Sequence, residues 1–161
     1  VGREIHAIDY YEATGEGFVH YRDVLEQRKT ERGYRYGTHH GPHDLAVREL
    51  GTGKSRIEAA REMGLRLEIV PRVEHKADAI QAARSLLGHL WIDDTRCARG
   101  IVCLESYRKE WDDRRQVFRD KPLHDWASHA ADALMTLARG HQFAVARSRA
   151  ATSIPSAAGW T

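Results

Sequence analysis

The chain lacks the features that define several classes of protein. Its only two cysteines, Cys97 and Cys103, have a spacing that fits neither a disulfide framework nor a zinc site, so buried free thiols in a reducing compartment are expected. It has no apolar run of about eighteen residues and no signal peptide, and therefore no membrane span is expected. Its net charge is only +2, which permits nucleic-acid binding without arguing for it.

What is present fits one soluble α/β domain. Apolar residues make up 42% of the chain and charged residues 30%, which is the balance of a folded protein. Segments that alternate like strands are interleaved with segments of helical periodicity, which predicts a partly parallel sheet flanked by helices. The predicted strands are 3–11, 34–36, 65–70 and 90–92, and the predicted helices are 18–29, 45–50, 56–63, 76–87, 96–118 and 124–142. Residues 143–161 lack periodicity and are expected to form a flexible tail.

Histidine is abundant, and it clusters. Three of the ten histidines and one carboxylate fall within residues 36–44, YGTHHGPHD. The Gly-Pro pair fixes the backbone just before Asp44, as a positioned metal ligand requires. The alternative interpretation is a polar loop in which Asp44 caps a helix that begins at Leu45. The two roles are compatible, because they use different oxygens.

A second cluster lies far downstream, in residues 125–132, DWASHAAD. On a helical wheel Asp125, Ser128, His129 and Asp132 share one narrow stripe, with apolar residues on the other side. A solvated polar face is the usual reason for such a stripe. Here, however, the stripe contains no Lys or Glu and instead holds residue types that bind metals or transfer protons. Carboxylates that converge from distant parts of a chain are typical of magnesium and manganese sites.

A nucleotide-binding motif is rejected. Residues 51–55, GTGKS, look like the end of a phosphate-binding loop, but the full pattern needs a glycine where Arg48 stands, and no strand precedes it. The same two observations argue against an ATPase. Ser55 and Glu58 instead predict a capping box at the start of a helix. Four further acids are predicted to be mainly structural: Asp9, Glu12, Asp93 and Asp94.

Taken in order, several segments resemble a known family. Residues 36–45 (YGTHHGPHDL), 90–93 (LWID), 104–107 (LESY) and 125–134 (DWASHAADAL) are similar to the C-terminal nuclease domain of tailed-phage terminase large subunits. The likeness covers residues 3–140. The PHD triplet alone is a weak signal, whereas the ordered set that ends in HAADAL is fairly specific.

The resemblance implies a ribonuclease H-like fold, in which a mixed sheet is flanked by helices and carboxylates converge on two divalent metal ions, Mg²⁺ or Mn²⁺. The implied activity is an endonuclease that hydrolyses double-stranded DNA during genome packaging. Asp44 and Asp132 would be the metal-binding acids, and His43, His129 and Asp125 would orient ligands or water. The implied partners are a portal protein and a small terminase subunit, in the cytoplasm of a host bacterium during virion assembly and with no membrane.

The chain departs from that family at its beginning. The family's first catalytic aspartate lies on the first strand of the sheet, which is expected to precede Val1. Residues 1–142 are therefore interpreted as an N-terminally truncated nuclease domain that lacks its first strand or strands. The family's ATPase motor has no counterpart here, in agreement with the rejected phosphate loop.

Two other interpretations stay open. One is a non-catalytic DNA-binding or assembly module of the same fold that has lost its first acid. The other is a histidine-rich zinc domain that uses His39, His40, His43 and His129. Imidazole-rich sites prefer zinc, whereas oxygen ligands prefer magnesium or manganese. The aspartate fixed by Pro42 and the second aspartate favour the oxygen site.

Overall fold

A computed structural model describes residues 4–51 and 53–152 of the chain. Helices and strands alternate along this part of the molecule, and the predicted α/β class is confirmed. The elements are β1 (Ile5–Ala7), α1 (Phe18–Arg32), β2 (His39–Gly41), a 3₁₀ turn (His43–Ala46), α2 (Arg56–Glu62), β3 (Leu67–Ile69), α3 (Lys76–Leu87), β4 (Leu90–Ile92), α4 (Ala98–Ser106), β5 (Lys109–Asp112), β6 (Val117–Pro122) and α5 (Ser128–Thr152).

The strands form three separate pairs rather than one continuous sheet within the described ranges. β1 pairs with β4 and β2 pairs with β3, both in parallel, and β5 and β6 form an antiparallel hairpin. Four of the six strands are only three residues long. Two-stranded sheets this short are marginal alone, so the strands depend on the helices packed against them.

Several helices lie where local signals predict them. Helix α3 has the predicted bounds, and α1 ends at Gly33, whose φ of 69° is the left-handed conformation of a helix C-terminus. The predicted capping box at the start of α2 is present. The Glu58 backbone N–H donates to Ser55 Oγ, and the Ser55 backbone N–H donates to the Glu58 carboxylate at 2.7 Å. These short-range patterns depend on neighbouring residues alone.

The histidine-rich segment differs from its prediction. Residues 34–36 are not a strand; instead the strand is His39–Gly41, inside the predicted loop. The predicted helix 45–50 is also wrong. A single 3₁₀ turn, His43–Ala46, is followed by an isolated β-bridge between Arg48 and Ser55. Parallel pairing with Leu67–Ile69 draws the histidines into a sheet, which a local pattern cannot predict.

The predicted helix 96–118 is also wrong, because α4 ends at Ser106 and the hairpin follows. The Asp112 carboxylate accepts the backbone N–H groups of Arg114 and Arg115 at 3.1 and 3.2 Å, which closes the turn. Trp111 then contacts Phe118 edge to face, with ring centroids 4.9 Å apart. The mixed charges of this segment are compatible with ion pairs along a helix, but here they form ion pairs across the hairpin, such as that of Arg119 with Glu110.

Helix α5 is longer than predicted. It begins at Ser128 and runs to Thr152, ten residues beyond the predicted end at Gln142. The first part of the predicted tail, 143–152, therefore continues the helix, and residues 153–161 lie outside the described part of the chain. No helix among the described residues has the length and apolar character needed to cross a membrane.

The main core lies between α3 and α5, and small side chains dominate it. Small residues let two helices approach closely. Its buried members are Ala79, Ala83, Leu86, Ala131, Met135 and Ala138. Cys97 and Cys103 are buried as free thiols, as predicted, and the Cys97 thiol donates to the Ala7 carbonyl at 3.4 Å. This thiol therefore links α4 to strand β1.

Candidate active site

The first predicted acid lies just beyond strand β2. Pro42 ends the strand, and its carbonyl accepts the Leu45 backbone N–H at 3.2 Å, which folds the chain into the 3₁₀ turn. A Cβ at Gly41 would meet the end of the Leu45 side chain, which folds back over it, so a larger residue there would push that side chain aside. The turn leaves His43 and Asp44 exposed at the carboxyl end of β2.

Asp44 is not a helix cap. Pro42 holds the capping position of the turn, no side chain caps it, and Asp44 lies within the turn. Its backbone carbonyl accepts the Val47 N–H at 3.1 Å, which leaves the carboxylate outside this hydrogen bond. The capping role predicted for Asp44 is therefore wrong. An exposed carboxylate at a strand end is chemically able to bind a cation, but geometry at this one residue does not make a site.

The second predicted acid is on helix α5 and has a cationic partner. The Asp132 carboxylate forms an ion pair with Lys76 Nζ, at the start of α3. Both side chains are about half exposed, at 45% and 47%. Tyr107 is close to this pair. Burial raises the pKa of its phenol, and the negative charge of Asp132 raises it further. Lys76 thus competes with a metal ion for this carboxylate.

Two of the three predicted helper residues, Asp125 and His129, lie at or just before the start of α5. The Asp125 carboxylate accepts the Ala127 backbone N–H at 3.0 Å, and its carbonyl accepts the Ser128 N–H at 3.1 Å. Asp125 therefore forms the turn that leads into α5, which begins at Ser128. His129 is exposed, and its ring lies 6.3 Å from that of His124 in an edge-to-face arrangement. This histidine pair is one turn of α5 away from Asp132.

A cluster around Glu12 joins the end of β1 to α4 and α5. The Glu12 carboxylate accepts Tyr10 Oη–H and Arg99 Nε–H, both at 2.7 Å. The Arg99 hydrogen bond, followed by that of Tyr10, holds the pKa of Glu12 below its ordinary value, and His129 contributes in the same direction. The Arg99 guanidinium also lies 4.6 Å from the centre of the Trp126 ring. Glu12 was predicted to be structural, and these contacts agree with that role. Its pairing with Arg99 could not be predicted from the neighbouring sequence, because the two residues are 87 positions apart.

Helix α5 packs across the β2–β3 pair through its later turns. A Cβ added to Gly140 would lie 2.7 Å from Nδ1 and 2.8 Å from Cδ2 of His40, so only a glycine permits this approach. One residue earlier, Arg139 donates to the Pro71 carbonyl, just beyond β3. Asp132 is eight residues before Gly140, which corresponds to about 12 Å along the helix axis. Helix α5, which bears Asp132, is therefore in contact with the strand that leads to Asp44, but not at the level of Asp132.

The predicted metal ligands do not fit a divalent ion as they are arranged here. No group of three His, Cys, Asp or Glu side chains able to hold a metal is found among residues 4–51 and 53–152. A two-metal site holds its ions about 4 Å apart and needs several carboxylates around them. Asp132 is instead neutralised by Lys76, and Asp44 lies on a different element. We therefore derive no catalytic step through a metal from these contacts.

The histidines of the zinc alternative are also dispersed. His39 and His40 are adjacent on a strand, where successive side chains point to opposite faces. Burial, followed by the neighbouring His40, lowers the pKa of His39, which favours its neutral form. His40 contacts Gly140, whereas His129 lies beside His124. Within the described residues these imidazoles do not share one ligand sphere.

Comparison of the chain with models of protein families, with curated proteins and with solved structures gives no match.

Proposed function

We infer that the chain is part of a ribonuclease H-like nuclease domain of the terminase large subunit type, which cleaves double-stranded DNA with Mg²⁺ or Mn²⁺. The basis is the ordered set of motifs: a PHD turn after one strand, and a HAADAL helix near the end of the domain. In this proposal Asp44 and Asp132 are the metal-binding acids. His43, His129 and Asp125 position water or ligands around them, and the portal and small terminase subunits are the partners.

One observation supports the proposal more than any other: helix α5, which bears Asp132, packs against strand β2, which leads to Asp44. The contact is made by Gly140 and His40, where any side chain larger than glycine's would collide with the imidazole. The contact lies about 12 Å along α5 from Asp132, and no group of three ligands is formed among the described residues, so in this proposal α5 or the turn shifts when the metal binds.

The second candidate is a DNA-binding module without cleavage. The Lys76–Asp132 ion pair favours it, because a lysine already neutralises the acid that a metal would need. The hairpin adds a surface suited to nucleic acid. Trp111 and Phe118 are 43% and 60% exposed, and Arg114 and Arg115 lie at its turn. Cations there can pair with phosphates without reading sequence.

Nicking of supercoiled plasmid by the 161-residue chain tests the two candidates. The nuclease proposal expects cleavage with Mn²⁺ or Mg²⁺, none with EDTA, and a loss of at least about a hundredfold in Asp44→Asn and in Asp132→Asn. The matched control is Asp23→Asn, which changes an exposed acid on α1 that already pairs with Arg22. It should cut at the wild-type rate, and all three variants should keep the wild-type melting temperature within a few degrees.

The alternatives give different results in the same assay. A DNA-binding module shifts the plasmid on a gel at low salt but does not cleave it, whichever metal is added. Its binding should weaken steeply as salt rises, because phosphate contacts release counterions. Metal-dependent cleavage that survives both Asp→Asn changes would show that the acids are assigned wrongly. One equivalent of zinc that copurifies and survives dialysis would favour the histidine-rich zinc domain.

A further inference from the structure

A pocket of about 300 Å³ lies between helices α3, α4 and α5 and the base of the β5–β6 hairpin. None of the predicted acids or helper residues lines it, although Arg108 of its lining reaches Asp125 at 4.0 Å. A volume of this size is at the lower limit of small-molecule sites and is comparable to the space that one or two large apolar side chains need.

The floor of the pocket is apolar and comes from two packed helices. Ala83 of α3 and Ala131 and Met135 of α5 are 8%, 4% and 4% exposed, so their packing gives the pocket a fixed bottom. At its edge Leu87 remains 47% exposed, although leucine at the end of an amphipathic helix is usually covered. An occupant that brings an apolar group would bury Leu87 together with this floor.

Positive charge surrounds this apolar floor. Arg84, Arg108 and Lys109 line the pocket, against one acid, Asp120. The distance from Lys109 Nζ to the Asp120 carboxylate is 3.9 Å, which is long for an ion pair. Both side chains are well exposed, so this pair is weak. Arg108 reaches Asp125 at 4.0 Å, and Arg84 forms no ion pair with any side chain in the described parts of the chain. Arg84 is therefore available to an anionic partner, and Arg108 and Lys109 are held only by long ion pairs that such a partner can replace.

We propose that this pocket binds a short acidic peptide segment of a partner protein, with a large apolar residue in the pocket and flanking carboxylates on Arg84, Arg108 and Lys109. A DNA backbone does not suit the apolar floor, because a phosphate placed there would lose its hydration without a partner. A small carboxylic acid would satisfy only one of three cations. An apolar anchor surrounded by charge pairs is a common way in which peptides are recognised.

Selection from a displayed library of random 12-residue peptides, against the immobilised 161-residue chain, tests the proposal. The enriched peptides should carry a large apolar residue flanked by Asp or Glu. The binding of a labelled enriched peptide is then measured by fluorescence anisotropy. Arg84→Gln should weaken that binding about five- to tenfold, and raised salt should weaken it further, since these charges are exposed.

Two further variants make the test specific. Gln81→Glu is the matched control, because it changes the charge of the same helix by the same amount at an exposed residue outside the pocket; it should alter the Kd less than about twofold. Ala83→Leu fills the floor and should abolish binding. The proposal fails if no peptide is enriched, if the enriched peptides lack acids, or if the two charge variants weaken binding equally. It also fails if a DNA duplex binds the pocket in competition with the peptide.

Discussion

The two regions that carry the predicted acids are packed to very different degrees. Asp132 lies on α5, whose neighbouring residues Ala131 and Met135 are almost completely buried against α3. Asp44 lies in a 3₁₀ turn that has no buried residue, after a three-residue strand. Helix packing fixes the position of one acid, whereas a turn and a two-stranded sheet hold the other. One predicted carboxylate, Asp132, therefore lies on a rigid helix, and the other, Asp44, lies on a weakly supported turn.

The largest expected loss of stability comes from a change in the rigid region, the α3–α5 core. Met135→Ala should lower the free energy of unfolding by about 2–5 kcal/mol, because it leaves a cavity between α3 and α5. Urea denaturation followed by circular dichroism measures this. Leu137→Ala is the control on the same helix. Leu137 is 37% exposed, so its loss should cost under about 1 kcal/mol. Equal costs would mean that the α3–α5 core is not what holds the second acid.

The next effect concerns the contact between the two regions. Gly140→Ala should destabilise the protein by about 1–3 kcal/mol, although alanine is the better helix former, since its Cβ would overlap the His40 ring. Adding His40→Ala should recover most of that loss, which a double-mutant cycle by urea denaturation would measure. Gly88→Ala, where the nearest atom is 3.9 Å away, should be neutral or stabilising. A Gly140→Ala variant as stable as the wild type would contradict the contact.

A smaller effect is expected on the weakly supported side. Ser55→Ala removes the capping box of α2, the helix beside the turn that holds Asp44, and should cost about 1 kcal/mol. Thermal unfolding measures it. Ser85→Ala is the matched control, because Ser85 Oγ only donates back to the Gln81 carbonyl within α3 and its loss should be nearly neutral. If both changes lower the stability by the same amount, the capping hydrogen bonds of Ser55 do not stabilise α2.

The smallest effect depends on pH and on His39. Burial lowers the pKa of this imidazole from 6.5, so the unfolded chain binds a proton more readily than the folded one. The stability that neutral His39 contributes is fully present above the pKa of the unfolded state. It is lost as pH falls through the lower pKa of the folded state. His39→Gln should therefore flatten the loss of stability between about pH 7.5 and 5.5. Urea denaturation across this range checks it, with the 59% exposed His6 changed to Gln as control. An unchanged slope in His39→Gln would contradict the prediction.

Carboxylates do not confuse that measurement, because their effects fall at lower pH. The Arg99 hydrogen bond lowers the pKa of Glu12 from 4.5, and the backbone N–H of Arg96 lowers the pKa of Asp93 from 3.8. Each contributes stability above its unfolded value and loses it as pH falls through the lower folded value. These losses therefore begin below the range in which His39 acts.

Elements with short-range signals could be predicted from the sequence. Helix α3 follows from its apolar spacing, and the start of α2 follows from Ser55 and Glu58. The hairpin could not be predicted in this way, since residues 107–118 carry charges that suit helical pairs. What decides its structure is the contact of Trp111 with Phe118 and the turn closed by Asp112. Local spacing does not distinguish those outcomes.

The same limit applies to the candidate site. The sequence identifies Asp44 and Asp132 as unusual acids, and it places the second on a helix. It gives no sign that Lys76, 56 residues away, pairs with Asp132, or that Arg99 reaches Glu12 across 87 residues. Ion pairs of this kind depend on how elements pack, and packing between distant segments leaves no periodic signal. Whether the acids are poised for a metal is a question of tertiary contacts.

The two buried cysteines give the protein an internal reporter of its own motions. Cys97 and Cys103 are 4% and 0% exposed, and burial also raises the pKa of the Cys97 thiol. An alkylating reagent in water can reach either sulfur only when the structure around it opens, and it reacts with the thiolate. The rate of alkylation therefore times the opening of the α4–β1 region without any added label. A partner that holds this region closed would slow that reaction, whatever the partner's chemistry.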